Sequence, residues 1–295
     1  MIDTEKATRQ EGAFALIEQF QMGKNPEIHP EKDQMCEDAI VANADFAAVI
    51  DGSTSKGQLR FNGKTTGRMA MEILADAVLN VLSPEDEMPH ALAKLTASIR
   101  KFYEKNGLCE EAARHAENRL TASMAVYSAR KHEVWMIGDC LCRFNGVTHT
   151  NPKRVDAVLA TVRADATRYL LQKGHSIAEL QTRDLVREWI WPYLKDQCAF
   201  QNSDEAGPFG YAVLDGFPVN ASKVLVLPIP RNTQELVLAS DGYPVLCDTL
   251  MDSEHELTHL LEEDPLCIGK YPSTKGLAKG NRSFDDRSFL RIALY

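Results

Sequence analysis

The sequence predicts an α+β fold built in layers, and three observations predict it. Short apolar runs with the strand period of two come in blocks. Two longer stretches with the helical period of 3.6 stand side by side. Acidic pairs punctuate the strand ends. The strict alternation of strand and helix that marks a parallel sheet is missing.

The elements follow in order. Residues 46–50 (FAAVI) are apolar and stop at Asp51-Gly52, as a buried strand ending in a turn does. Met69, Ile73, Leu74, Ala77, Val78, Val81 and Leu82 line one face of a helix that Ser83-Pro84 ends. Met88, Leu92, Leu95, Ile99 and Phe102 line a second, so an antiparallel helical pair is expected. Leu120, Ala122, Met124 and Val126 then alternate with Thr121, Ser123, Ala125 and Tyr127. EVWMIGD (133–139) and LCRF (141–144) continue as strands, and Asn145-Gly146 predicts a hairpin into VTHT (147–150). Residues 164–195 read as helical. GYAVL, KVLVLPI, ELVLAS and SFLRIAL read as strands, and residues 252–263 as a short helix after the turn at 240–242.

Composition bounds the function. A chain of 295 residues buries about 75% of its extended surface on folding, enough for a substantial core. With 42 acidic against 33 basic residues the formal net charge is -9, and no basic run stands out, so a nucleic-acid partner is not expected. The seven cysteines are scattered without a C-x-x-C pair, which fits reduced thiols in a cytoplasmic protein. The start, MIDTEKATRQEG, lacks the apolar segment of a signal peptide, and no run is long enough to span a membrane.

Five acidic clusters carry the chemistry: Glu37-Asp38, Asp51-Gly52, Gly138-Asp139, Ser240-Asp241-Gly242 and Asp285-Asp286. Carboxylates at strand ends can converge on one edge of a sheet. At ~4 Å each like-charged pair costs about 4 kcal/mol at an effective dielectric near 20, which divalent cations relieve. With Thr121-Ala122 added, these clusters stand in the order of the landmarks of the type 2C, metal-dependent PPM protein phosphatases, which the chain resembles over residues 35–295. The resemblance implies a single domain over 1–295, a four-layer α-β-β-α sandwich with two antiparallel sheets flanked by antiparallel helical pairs. Residues 1–30 would be a partly separate N-terminal segment and 154–220 a variable insertion. It further implies two Mg²⁺ or Mn²⁺ ions, with a third in a weaker site. Asp51 and the Gly52 carbonyl, Asp241 and Asp285 would be direct ligands, Glu37 and Asp38 would act through water, and Asp139 would serve the third ion. Asp286 takes a supporting role. The implied activity is hydrolysis of phosphoserine or phosphothreonine in a protein partner, by attack of a water bridging the metals, with Asp38 and Asp51 as the catalytic carboxylates.

Two departures bear on that expectation. Ser53 follows Asp51-Gly52 where many relatives have a histidine that protonates the leaving oxygen, and a serine hydroxyl is too weak an acid for that task. Lys32 stands near the place of a phosphate-binding arginine and offers charge without the bidentate fork. Both keep a noncatalytic, phosphatase-like regulator as the alternative. A third reading comes from His255-Glu256-Leu257-Thr258-His259, the H-E-x-x-H pattern of zinc proteases, without its usual extension. Gly63-Lys64-Thr65-Thr66-Gly67 reads as a helix start rather than a P-loop, because Gln58 stands where that loop needs glycine. Trp189, Trp191 and Tyr193 are expected to pack in the core.

Overall fold

The computed structural model describes residues 13–25 and 36–295. In chain order the strands are β1 (Phe14–Met22), β2 (Asp38–Ala42), β3 (Phe46–Gly52), β4 (Ala122–Ser128), β5 (Glu133–Ile137), β6 (Leu141–Phe144), β7 (Val147–Thr150), β8 (Leu225–Pro228), β9 (Glu235–Ala239) and β10 (Arg287–Leu294). The helices are α1 (Thr66–Asn80), α2 (Met88–Asn106), α3 (Cys109–Arg114), α4 (Arg154–Gln172), α5 (Ile177–Thr182), α6 (Leu185–Asp196) and α7 (Leu250–Glu263). One five-stranded sheet runs β2-β3-β4-β5-β8 and the other β1-β10-β9-β6-β7. Every pairing is antiparallel.

Alternation along each strand sorts the side chains into layers. On β3, Ala47 and Val49 join Ala125, Tyr127 and Met136 between the sheets, where they meet Leu236, Leu238, Leu290 and Ile292 of the second sheet. Phe46, Ala48 and Ile50 point the other way, onto Leu74, Val78, Leu95 and Ile99 of α1 and α2. This helical pair is the predicted one. On the second sheet, Val237, Ala239 and Phe289 face outward onto Leu257, Leu260 and Leu261 of α7. That outer layer is one helix with the following loop, where a second pair was expected. Each large apolar side chain so buried contributes roughly 1.5–3 kcal/mol.

The structure departs from the sequence expectations in three further places. Residues 14–22, expected to be partly separate, form β1 and pair along β10. A register shift between Leu16 and Glu18 breaks the alternation, leaving Leu16 and Ile17 both exposed, and this hides the strand period. GYAVL makes only isolated bridges, Tyr211 to Gln201 and Leu214 to Ala122, so it crosses the end of the sheet rather than extending it. The helical stretch after residue 153 is three helices, interrupted at Gly174, whose φ of 99° suits glycine, and again after Thr182. Among the described residues no helix is long and apolar enough to cross a membrane.

Candidate active site

The antiparallel ladders bring the acidic clusters to one rim. Asp51 at the end of β3 lies opposite Ser123 at the start of β4 and opposite Asp38 at the start of β2. Ile137, at the end of β5, pairs with Met124, so Gly138-Asp139 turns away beside Ser123. Ala239 pairs with Phe289, which places Ser240-Asp241 beside Asp285-Asp286. Two glycines let the rim close. Gly138 has φ 84°, and a Cβ there would collide with the Ser123 side chain, whose Oγ donates to Asp139 Oδ1 at 2.7 Å. A Cβ on Gly52 would lie 2.5 Å from the Gly67 carbonyl oxygen, so the strand end and the first turn of α1 can meet only without side chains.

Carboxylate oxygens of Asp51, Asp139 and Asp241 lie within 4.8 Å of one another. With Asp285 they line a cavity of about 420 Å³. Burial raises Asp51 well above the carboxylate range, reinforced by Asp38, Asp285 and Asp139. Burial likewise raises Asp241, with Asp51, Asp139 and Asp285 adding to it. Such a set of hard oxygen donors fits a divalent cation such as Mg²⁺ or Mn²⁺.

Glu37 and Asp38 sit behind this rim, 5% and 1% exposed, and do not line the cavity. Asp38 Oδ2 accepts from Ser288 Oγ at 3.0 Å. Burial raises Asp38 well above the usual range, with Asp286 next in effect. Thr65, the N-cap of α1, donates to Glu37 Oε1 at 2.5 Å, so the Gly63–Gly67 stretch is indeed a helix start. Burial pushes Glu37 up to about 7 against the opposing pull of Lys24. Asp286 accepts from the backbone N–H groups of Lys24 (2.8 Å) and Glu37 (2.9 Å), so it ties the start of β2 to the segment after β1.

Five cations complete the site, and sequence reasoning found none of them because isolated lysines and arginines carry no pattern. Lys153 Nζ lies 2.8 Å from Asp139 Oδ1. Burial works to raise Asp139, but this ammonium and Ser123 hold it below the usual value. Lys24 lies 3.5 Å from both Asp285 and Asp286, and Lys275 pairs with Asp285. Burial is again outweighed, first by Lys275 and then by Lys24, and Asp285 is held low. Lys56 and Arg187 also line the cavity.

The structure thus brings together Asp51, Asp139, Asp241 and Asp285, keeps Glu37 and Asp38 behind them, and closes Gly52 against α1. Lys32 lies outside the described residues. His255 and His259 are exposed on α7, where His259 faces Glu263 at 3.4 Å, and among the described residues they join no group of three metal-ligating side chains. Trp189 and Tyr193 are 54% and 62% exposed, against expectation, because α6 buries its Val186, Ile190 and Leu194 stripe instead. Trp191 is partly buried, with the Arg187 guanidinium 5.7 Å above its ring.

No family model matches the chain, and no curated protein matches it. Solved structures similar to it include serine/threonine phosphatases. One is the serine/threonine phosphatase PstP/Ppp of Mycobacterium tuberculosis, at 15% identity over 95% of this chain and 99% of that one, with a TM-score of 0.44. Another is the serine/threonine phosphatase Stp1 of Staphylococcus aureus, at 14% identity over 98% and 99%, TM-score 0.44. PppA, described as a key regulatory component of T6SS in Pseudomonas aeruginosa, is 14% identical over 94% and 96%, with a TM-score of 0.44.

Proposed function

We propose that the chain is a divalent-metal-dependent phosphatase that removes phosphate from phosphoserine or phosphothreonine in a protein substrate in the cytoplasm. The observation that carries the reading is the meeting of Asp51, Asp139 and Asp241 within 4.8 Å on the floor of an open cavity whose walls are cationic. Asp51, Asp241 and Asp285 would hold two Mg²⁺ or Mn²⁺ ions, with the Gly52 carbonyl as a further ligand and Glu37 and Asp38 behind them as partners of coordinated water. When bound, the ions supply Lewis-acid polarisation of the phosphoryl group and lower the pKa of water. The chain's own residues hold the ligands in register, exclude bulk water and present positive charge to the phosphate. Asp139, with Asp241, would serve a third, weaker site, and an ion there must displace the Lys153 ammonium with which Asp139 pairs. No histidine lines the cavity among the described residues, so the leaving oxygen takes its proton from a donor other than imidazole.

One observation favours a noncatalytic phosphatase-like regulator. Asp285, a required ligand, is paired with both Lys24 and Lys275, which an incoming ion must displace. A single series decides between the readings: p-nitrophenyl phosphate and a phosphoserine peptide, with Mn²⁺, with Mg²⁺ and with chelator, in the parent and in Asp51→Asn. Metal-dependent turnover lost in the variant supports the phosphatase. Metal binding without turnover in the parent establishes the regulator.

A further inference from the structure

The wall of the cavity carries two cations, Lys56 and Arg187, that form no ion pair with a carboxylate among the described residues. Lys56 Nζ approaches only the Ser53 hydroxyl at 3.4 Å and the Thr54 carbonyl at 3.3 Å. Arg187 Nη1 donates to the Thr274 carbonyl at 2.5 Å, and its guanidinium otherwise stacks over Trp191. Neither has a carboxylate at ion-pair distance among the described residues. The other cations of the site do: Lys24, Lys153 and Lys275 are all paired. Carboxylates act on them only at longer range: Asp285, then Asp184 and Asp156 on Arg187, and Asp156 on Lys56.

Partly buried charges without partners are costly, and a fold that keeps two of them on one cavity wall has a use for them. Both are held below their ordinary pKa, first by desolvation, and Lys56 also by the charges of Lys153 and Arg187. Both side chains line the same cavity, to which each brings a positive charge. The same wall carries the carboxamides of Gln197 and Gln201, 6% and 7% exposed, each with an oxygen that finds no hydrogen-bond partner. As acceptors these oxygens suit N–H groups of a bound peptide rather than the anion itself.

We propose that Lys56 and Arg187 form an anion subsite that binds a second negative group of the substrate, a carboxylate or phosphate on a residue flanking the phosphorylated one. The identity of the ligand as part of a substrate rests on the phosphatase reading, whereas the existence of an anion site does not. Arginine supplies a planar fork and lysine a point charge, a pairing that suits an oxyanion held beside, rather than on, the metals.

Two measurements test it. In chelator, inorganic sulfate should raise the Tm of the parent in a dose-dependent way and leave Lys56→Met and Arg187→Met unmoved. Each substitution removes an unpaired charge, so both variants should fold. In Mn²⁺, three phosphoserine peptides, with an aspartate, a second phosphoserine or only neutral residues alongside, are compared with p-nitrophenyl phosphate. The charged-flank peptide that uses the subsite should lose about tenfold or more in kcat/KM relative to p-nitrophenyl phosphate in either variant, mainly through KM, as expected for a hydrogen bond to a charged group. The larger loss identifies carboxylate or phosphate as the occupant. Equal stabilisation of parent and variants by sulfate overturns the subsite. So does an equal loss for p-nitrophenyl phosphate and the charged peptides, since the two cations would then serve the scissile phosphate. If no substrate turns over, the phosphatase reading fails and the sulfate titration still decides the subsite.

Discussion

The floor and the wall of the cavity are held by different kinds of structure. On the floor, Asp51, Asp139 and Asp241 stand at the ends of β3, β5 and β9, where ladder hydrogen bonds and interdigitated apolar layers on both faces fix the backbone. The wall is made by α4, α6, the loop after α7 and the segment after β3; it packs through smaller apolar clusters of its own, Ala164, Leu170 and Val186 on Leu266 and Ile268 among them, and is pinned by buried polar bonds. The chief one is Arg163, 1% exposed, which pairs with Asp184 at 2.6 Å and donates to the carbonyls of Leu266 at 2.8 Å and Ser273 at 3.1 Å. It thereby ties α4 to the loop that brings Lys275 to Asp285. The difference teaches a division of labour. Chemistry that demands sub-ångström placement is put on strands, while charge that must meet a variable ligand is put on a separable layer.

That contrast can be broken from either side. The largest effect should come from the floor. Asp51→Asn removes a carboxylate that faces three others, so Mn²⁺-dependent turnover should fall by several kcal/mol of barrier, roughly 10⁴-fold. In chelator the same variant should melt no lower than the parent, because a buried charge conflict has been relieved; a clear drop in Tm would show that Asp51 is structural. Next is the wall. Arg163→Ala leaves Asp184 and several carbonyls without their donor and should cost about 3–5 kcal/mol. Hydrogen exchange should quicken in α4 and in residues 266–276 before it does in β3 and β4, and Mn²⁺ affinity measured calorimetrically should hold. Exchange that rises evenly across the molecule would mean that floor and wall are one cooperative unit.

The floor was largely legible in the sequence and the wall was not, and the reason is physical. Asp51-Gly52, Gly138-Asp139 and Asp241-Gly242 each follow an apolar strand, so local pattern and pairing register together predict where they converge. β3, β4, β9 and β10 announce themselves because both faces are buried. β1 is a half-exposed edge strand with a bulge, and its Leu16 and Ile17 read as neither strand nor helix. Lys153 and Arg187 reach the site through long-range packing, and Lys56, though only five residues beyond Asp51, has no local signature to separate it from a solvated side chain. The wrong expectation for Trp189 and Tyr193 has the same source: aromatic residues are usually buried, but α6 had only one narrow face to bury.

A smaller effect concerns proton balance on the floor. Glu37 titrates near 4.5 in an unfolded chain and about 7 in the folded one. The folded state therefore holds this proton more tightly. Its contribution is fully present below about pH 4.5 and is lost as pH rises through 7, a change of about 3 kcal/mol at most. Asp38, Asp51 and Asp241 act in the same direction, whereas Asp139 and Asp285, held low by lysines, act in the opposite one. In chelator, denaturant midpoints should fall between pH 5 and 7.5, Glu37→Gln should flatten that fall, and Mn²⁺ should reverse it at the upper end. A midpoint that rises over this window would show that the lysine pairs, not burial, control the floor.

The smallest expected effect is at α7, which belongs to neither region. Ser253, Leu257, Leu260 and Leu261 are its buried stripe, and His255, Glu256 and His259 lie on the exposed side. The His259 contact with Glu263 is an exposed surface pair one helical turn apart, screened by solvent, and adds little to stability. His259→Ala should therefore change stability by less than about 0.5 kcal/mol, and Mn²⁺-dependent turnover should be as in the parent. Equimolar zinc should bind parent and variant alike. A zinc site lost in this variant would mean that two exposed imidazoles on one helix recruit a third ligand from outside the described residues, and the H-E-x-x-H pattern would then have to be read as chemistry rather than as a solvated helix face.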